Sequence, residues 1–242
     1  MGNPFLESLL GYIAHAMDCR PLQDKDEREA ATKLVEWLGF PSHHDPQKNW
    51  DTLKCLLYVT SLGDKERPVL DAGSGARGVV LRWLHQVGYR NLYACDLKPV
   101  KTDLLEEYGI KFTPQDLVDT SYEDGMFQAV TSVSVIEHDV PLDDYVKEMY
   151  RILRPGGLLL TSTDYWSEPV DCAGIYPYGK DMGQMKVFQP REIGELVAMA
   201  EATGFELCRP LVLGTGERAV RWDRVDREYT FAFIALRKKS WP

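Results

Sequence analysis

The chain has 242 residues, of which 44% are hydrophobic and 27% charged, and its formal net charge is −9. This length and composition predict one large soluble domain with a sizeable core. An acidic chain whose only basic cluster is Arg237, Lys238 and Lys239 is a poor candidate for binding the phosphate backbone of nucleic acid.

The five cysteines are scattered and form no CxxC pair. Such usage is typical of reduced thiols and argues against a disulfide framework or a zinc site. No apolar run reaches roughly 18 residues and no secretion signal is visible, so we expect a soluble, cytoplasmic protein without a membrane partner. The neighbouring His43, His44 and Asp45 point in different directions without a second ligand pair, so we predict no metal site.

The first part of the chain is predicted to be helical. Asn3 and Pro4 favour a helix start, with an apolar stripe behind them. A second helix is predicted over 24–38 and a third from about 47 to 62. We expect residues 1–66 to form a helical cap, followed by a compact domain over 67–242.

From Pro68 onward, short apolar runs alternate with helical patterns, which predicts a doubly wound, mostly parallel α/β sheet. The last two strands have no clear helix between them, which favours a terminal antiparallel pair. The predicted strands are 69–72, 91–95, 111–113, 127–135, 157–162, 206–212 and 229–236. The predicted helices are 78–87, 101–108, 142–153 and 190–203.

The first of these strands runs into a glycine-rich turn, Gly73-Ser74-Gly75-Ala76-Arg77-Gly78. Glycines allow close approach of the backbone to a ligand, and the following helix start offers free N–H groups. The spacing fits both dinucleotide enzymes and methyltransferases. Asp71 before the turn would repel a pyrophosphate but favour a positively charged sulfonium cofactor.

Two further acids follow predicted strands. The carboxylate of Asp96 can accept hydrogen bonds from both hydroxyls of a ribose, whether in NAD or in S-adenosylmethionine. Asp116 can accept from an adenine amino group, with Leu117 packed on the ring.

Together these motifs resemble the class I S-adenosylmethionine-dependent methyltransferases, over roughly Pro68 to Leu236. The matching segments, in order, are Val69 to Gly75, Asp96, Asp116, Val135 to His138, and Leu153 to Gly157. The resemblance implies a Rossmann-like sheet of seven strands with the last one reversed. One departure is Arg77, at a position where the family often has a glycine.

The resemblance also implies roles for single residues. Asp71, Gly73 and Gly75 would hold the methionine part of the cofactor, and Asp96 the ribose. Asp116 and Leu117 would hold the adenine, while Ser134 would line the side near the sulfur. Trp50, at the start of the helix before the sheet, would contact the cofactor as part of a lid.

The residues around the methyl acceptor are predicted from their place on the ligand-binding edge of the sheet. His138 follows the fourth strand, and its neutral imidazole could take a proton from the acceptor. Tyr165 and Trp166 follow the fifth strand and open a long aperiodic segment to Val187 that also contains Tyr176 and Tyr178. A segment of this length is typically functional, so we expect these four aromatic residues to bind the acceptor.

The sequence therefore predicts an enzyme that methylates oxygen or nitrogen of a small molecule, with S-adenosylmethionine as cofactor. Two alternatives stay open: an NAD(P)-dependent oxidoreductase using the same glycine spacing, and a non-catalytic S-adenosylmethionine-binding protein. The acceptor and the oligomeric state do not follow from the sequence.

Overall fold

The structure, a computed structural model, describes residues 12–240. A single twisted sheet runs through this part of the chain, with the strand order β3-β2-β1-β4-β5-β8-β6 and a short β7 paired to β8. The strands are β1 Val69–Ala72, β2 Leu92–Asp96, β3 Lys111–Pro114, β4 Phe127–Val133, β5 Leu153–Tyr165, β6 Phe205–Leu207, β7 Val220–Trp222 and β8 Arg227–Lys238.

Pairing is parallel from β3 to β5 and antiparallel where β8 joins β5 and β6. The predicted sheet with one reversed strand is therefore confirmed, and β7 is an addition to it. β5 extends beyond its predicted end because it pairs with β8 as far as Tyr165 opposite Thr230. β6 is shorter than predicted and ends at Leu207.

The helices lie close to their predicted positions. They are α1 Lys25–Trp37, α2 Asn49–Ser61, α3 Val79–Gln86, α4 Asp103–Glu107, α5 Leu142–Ile152 and α6 Pro190–Thr203. A 3₁₀ turn, Pro46–Lys48, precedes α2. The carboxylate of Asp24 caps α1 by accepting from the N–H of Glu27, which explains why that helix begins there. The predicted start at Asn3 lies outside the described residues.

The helices cover both faces of the sheet and form two buried clusters. On one face α1, α2 and α3 contribute Leu34, Leu53 and Trp83. On the other face α5 and α6 contribute Met149 and Leu196. Because both faces are covered, ligands reach the sheet at its edge, beyond the carboxyl ends of the parallel strands. Within residues 12–240, no helix combines the length and apolar character needed to cross a membrane.

Candidate active site at the carboxyl edge of the sheet

The glycine turn after β1 depends on two glycines for different reasons. Gly73 has φ +77°, and a Cβ there would lie 2.4 Å from Cγ2 of Val135. Gly75 has φ +58°, and a Cβ there would meet nothing within 4 Å. Its N–H donates to Oδ2 of Asp96 at 3.1 Å. The turn thus packs against the segment after β4 and is tied to the end of β2.

The third glycine of this turn, Gly78, explains why Arg77 can stand where the resembled family often has a glycine. Gly78 caps α3 in the left-handed conformation, with φ +47°. A Cβ there would lie 2.8 Å from Cδ2 of Leu105 on α4. The glycine is therefore needed at this position, while Arg77 is exposed and lies outside the cavity described next.

A cavity of about 910 Å³ lies over this edge of the sheet. One side, called the turn side here, is formed by Asp71, Gly73, Gly75, Asp96, Asp116 and Leu117. The opposite side, called the helix side, is formed by Lys48, Thr52, Glu137, Asp164 and Phe231. Both sides open into the same space, so a ligand on one side can reach a ligand on the other.

On the turn side, Asp71 is buried at the end of β1, and its Oδ1 accepts a hydrogen bond from Thr131 at 2.7 Å. Burial raises the pKa of this carboxyl to about 7, and the nearby Asp96 adds to the shift. A positively charged ligand group would favour its ionised form. Asp96 is half-buried, and its bond to Gly75 uses only one of its two oxygens.

The structure brings the other predicted residues of this side to the same place. Asp116 is exposed in a turn after β3, where its Oδ1 accepts from the N–H of Val118 at 3.2 Å. Leu117 beside it is buried and offers an apolar surface. Ser134 follows β4 with φ +54°, an uncommon conformation for a serine.

The helix side is centred on the ammonium group of Lys48. This group donates to the hydroxyl of Ser134 and lies 3.7 Å from the centroid of the Phe231 ring. The pKa of Lys48 is raised although burial opposes this, because the carboxyls of Asp51, Asp164 and Glu137 surround it. Lys48 therefore stays protonated.

Three carboxyls face that ammonium from different elements. Asp51 on α2 accepts from Ser162 Oγ at 2.8 Å, and burial raises its pKa to about 6. Glu137 accepts from Thr163 Oγ1 at 3.0 Å. Burial, followed by the charge of Glu137, raises the pKa of Asp164 well above its ordinary range.

His138 lies at this cavity, as predicted, with its ring 5.0 Å from that of Tyr178 in an edge-on contact. Its Nδ1 is buried and has no hydrogen-bond partner among the described residues. Burial lowers the pKa of the imidazole, so the ring is neutral near pH 7 and one nitrogen can accept a proton. Its role as a base stays a prediction.

Trp50 does not make the predicted contact with the cofactor, and this prediction is corrected. This side chain is fully buried away from the cavity, and its Nε1 donates to Glu27 Oε1 at 2.7 Å. The helix is where it was predicted, but its face toward the cavity carries Lys48 and Thr52, while Trp50 points into the core against Phe233.

Four aromatic residues were predicted to bind the methyl acceptor, but only Tyr178 lines the cavity. The prediction is therefore corrected for the other three. Tyr165 is fully buried, and its hydroxyl donates to the carbonyl of Leu213 at 2.6 Å. Trp166 lies under the guanidinium of Arg218 at 5.0 Å, and Tyr176 is exposed near Lys180. The segment reaches the cavity through its middle, not at its start.

His43 and His44 also line the cavity, with their rings stacked at 4.1 Å between centroids. Burial lowers the pKa of His43 to about 3, so its ring is neutral. Among residues 12–240, no three His, Cys, Asp or Glu side chains gather in a metal-binding arrangement.

The sequence prediction gave no site role to the five residues that form the helix side: Lys48, Thr52, Glu137, Asp164 and Phe231. Asp164 carried a usable signal, since a polar residue at the end of a parallel strand reaches the ligand edge. Lys48 carried none, because its place depends on how α2 packs on the sheet.

Residues 70–161 match the family model of a methyltransferase domain. An uncharacterized methyltransferase of Emericella nidulans is 34% identical over 115 residues, which is 46% of this chain and 37% of that relative. Over these residues the chain carries a methyltransferase domain, and the predicted resemblance to the class I S-adenosylmethionine-dependent methyltransferases is confirmed. The match spans little more than a third of the relative.

Solved structures share the fold over most of the chain. The 1,6-didemethyltoxoflavin-N1-methyltransferase of Burkholderia thailandensis, solved with S-adenosylhomocysteine, has a TM-score of 0.57 at 20% identity and covers 91% of this chain and 92% of its own. The [4+2]-cyclase SpnF has a TM-score of 0.60 at 14% identity, covering 98% and 94%. Since methyltransferases and a cyclase share this fold, the reaction must be argued from the site.

Proposed function

We propose that this chain transfers a methyl group from S-adenosylmethionine to an oxygen or nitrogen atom of a small molecule. The observation that carries the proposal is the turn side of the cavity. There three segments that are separated in sequence line one continuous space: Asp71 with the two turn glycines, Asp96, and Asp116. The methyltransferase domain match over 70–161 includes all of these residues.

The residues present fit this cofactor. The open space at the Cβ position of Gly75 gives a ligand access to the turn. Asp96 keeps one oxygen, Oδ1, for a ribose hydroxyl. Asp116 and Leu117 would take the adenine, and Asp71 would pair with the amino group of the methionine part. Ser134 would lie beside the sulfur.

When bound, S-adenosylmethionine supplies a methyl group already activated by its sulfonium. The protein's own contribution is then alignment, exclusion of water and, for a hydroxyl acceptor, a base. His138 is proposed for that base, since its ring is neutral and its Nδ1 is unpartnered among the described residues. Tyr178, packed on that ring, is proposed to contact the acceptor.

A small acceptor is favoured by the size and lining of the cavity. About 910 Å³ shared by cofactor and acceptor falls within the range of small-molecule sites. The net charge of −9 disfavours nucleic acid as the acceptor. A cytoplasmic location is part of the same proposal.

Calorimetric titration tests the proposal directly. We expect S-adenosylhomocysteine to bind and NAD not to bind. Asp96→Ala should weaken S-adenosylhomocysteine by at least about tenfold, because hydrogen bonds to a charged group are worth about 1.5–3 kcal/mol. Asp103→Ala, an exposed acid on α4 outside the cavity, should leave the affinity unchanged. Binding of NAD alone would reject the proposal.

The base has its own test. His138→Ala should lower turnover of a hydroxyl acceptor by about 10²-fold or more while S-adenosylhomocysteine still binds. Full turnover in this variant would remove His138 from the reaction without affecting the proposed activity.

A further inference from the structure

We infer that the methyl acceptor is an amine whose ammonium form binds on the helix side of the cavity. It would lie between the carboxyls of Glu137 and Asp164 and an aromatic wall, which is formed by the rings of Phe231, Tyr178 and Trp222. This inference rests on the proposed function and narrows its choice between oxygen and nitrogen to nitrogen.

The helix side of the cavity has a charge imbalance, because its buried acids outnumber its cations. Glu137 and Asp164 line the cavity and are 1% and 2% exposed. Asp51, which does not line it, is 0% exposed, and Lys48 is the one cation that the described residues place among these three acids. Buried charges in proteins are normally paired, because an unpaired one loses its hydration. Burial and the charge of Glu137 raise the pKa of Asp164, and a ligand ammonium bound beside these acids would favour their ionised forms.

A second, independent observation points to a ligand at the same place. Oγ1 of Thr52 belongs to a fully buried residue, lines the cavity and has no hydrogen-bond partner among the described residues. Lys48 caps the start of α2 and Thr52 lies one helical turn later, so both side chains project toward the cavity from the same side of this helix. Nδ1 of His138 is buried and equally unpartnered. Such atoms are satisfied when a polar ligand occupies the space.

The aromatic wall also suits an ammonium ion. The Lys48 ammonium already lies 3.7 Å from the ring centroid of Phe231, which is a cation–π geometry. Tyr178 and Trp222 extend the wall, with their rings 6.2 Å apart. Carboxylates combined with aromatic faces form a site that attracts cations and repels anions.

A carboxylate beside the ammonium has a second use. The amine must lose one proton before its nitrogen can act as a nucleophile, and Glu137 or Asp164 can accept that proton. A carboxylate acceptor, in contrast, would have to lie beside three buried acids.

The experiment uses the whole chain saturated with S-adenosylhomocysteine, whose uncharged sulfur leaves the charge imbalance in place. Its binding is first measured alone. Calorimetry or ligand-observed NMR then compares three probes of one shape: benzylammonium, benzyl alcohol and benzoate. We expect benzylammonium to bind at least tenfold more tightly than the other two.

Two shape-preserving variants locate the effect. Glu137→Gln and Asp164→Asn should each weaken benzylammonium at least fivefold, with less than a twofold change for S-adenosylhomocysteine. Asp143→Asn, an exposed acid paired with Lys147, is the matched control and should change neither affinity. Thermal unfolding of each variant checks its fold, and the selectivity of the wild type decides the question if a variant does not fold.

The outcomes separate the inference from the proposed function. Failure of S-adenosylhomocysteine to bind would reject the proposed function. If S-adenosylhomocysteine binds but benzylammonium does not, or binds no better than benzyl alcohol or benzoate, the amine inference is overturned and the methyltransferase proposal stands.

Discussion

The two sides of the cavity are built in different ways. On the turn side, each polar group lies in the last two residues of a strand or just after it, and its position is set by a few residues of local backbone. On the helix side, Lys48 comes from the start of α2, Glu137 from the segment after β4 and Asp164 from the end of β5. These three meet only because α2 packs across the sheet.

This difference indicates which parts of the chain determine cofactor binding and which determine the choice of acceptor. A ligand shared by many related enzymes can be held by a turn that short motifs specify. The part that selects an acceptor depends on the relative placement of distant elements, so it can change without altering the turn.

The largest effect is expected on the turn side, at Gly73. Gly73→Ala must hold alanine at φ +77° and place its Cβ 2.4 Å from Val135, so we expect a loss of about 2–4 kcal/mol in the free energy of unfolding. Gly75→Ala is the matched control, with a positive φ but open space, and should cost about 1 kcal/mol. Urea denaturation measures both losses. Equal losses would mean that the side chain of Val135 moves aside at little cost in free energy.

A smaller loss is expected on the helix side, from Lys48→Met. This change removes the cation among three buried carboxyls and should lower the free energy of unfolding by about 1–3 kcal/mol near pH 8. The loss should shrink near pH 5, because Asp51, whose pKa is about 6, is then protonated. Lys98→Met, an exposed lysine paired with Asp181, should cost less than about 1 kcal/mol. A pH-independent loss at Lys48 would contradict the charge argument.

The smallest effect concerns Asp71 and its pH dependence. Its folded pKa, about 7, is above its ordinary value near 4, so the stability associated with its protonated form is complete below about pH 4 and is lost as pH rises through about 7. Asp71→Asn cannot ionise and should gain about 1–2 kcal/mol relative to the wild type between about pH 6 and about pH 8. Urea denaturation at both pH values measures this, and an unchanged difference would place the carboxyl in a more solvated site.

The same contrast explains what the sequence could predict. Strand ends at Asp71, Asp96 and Asp116 were found because a run of apolar residues followed by an acid marks the ligand edge of a parallel sheet. The reversed pair of β6 and β8 was found because the helical pattern stops before it. In both cases the signal is local.

The remainder depended on tertiary packing. The position of α2 was predicted, but which of its faces meets the sheet was not, so Trp50 was placed at the cavity in place of Lys48 and Thr52. Similarly, the composition of the long segment after β5 identifies it as functional but does not decide that Tyr178, and not Tyr176, reaches the cavity.

The short connection between α2 and β1 has a consequence for how related chains could diverge. The side-chain amide of Gln128 donates to the carbonyls of Asp64 and Arg67 at 2.7 and 3.0 Å, so this connection is held firmly against β4. Because this end is fixed, inserting or deleting one residue within α2 between Thr52 and Ser61 would turn Lys48 and Thr52 together by about 100° about the helix axis. A change in helix length, distant from any ligand, could thus alter which acceptor is chosen while the methyl donor is kept.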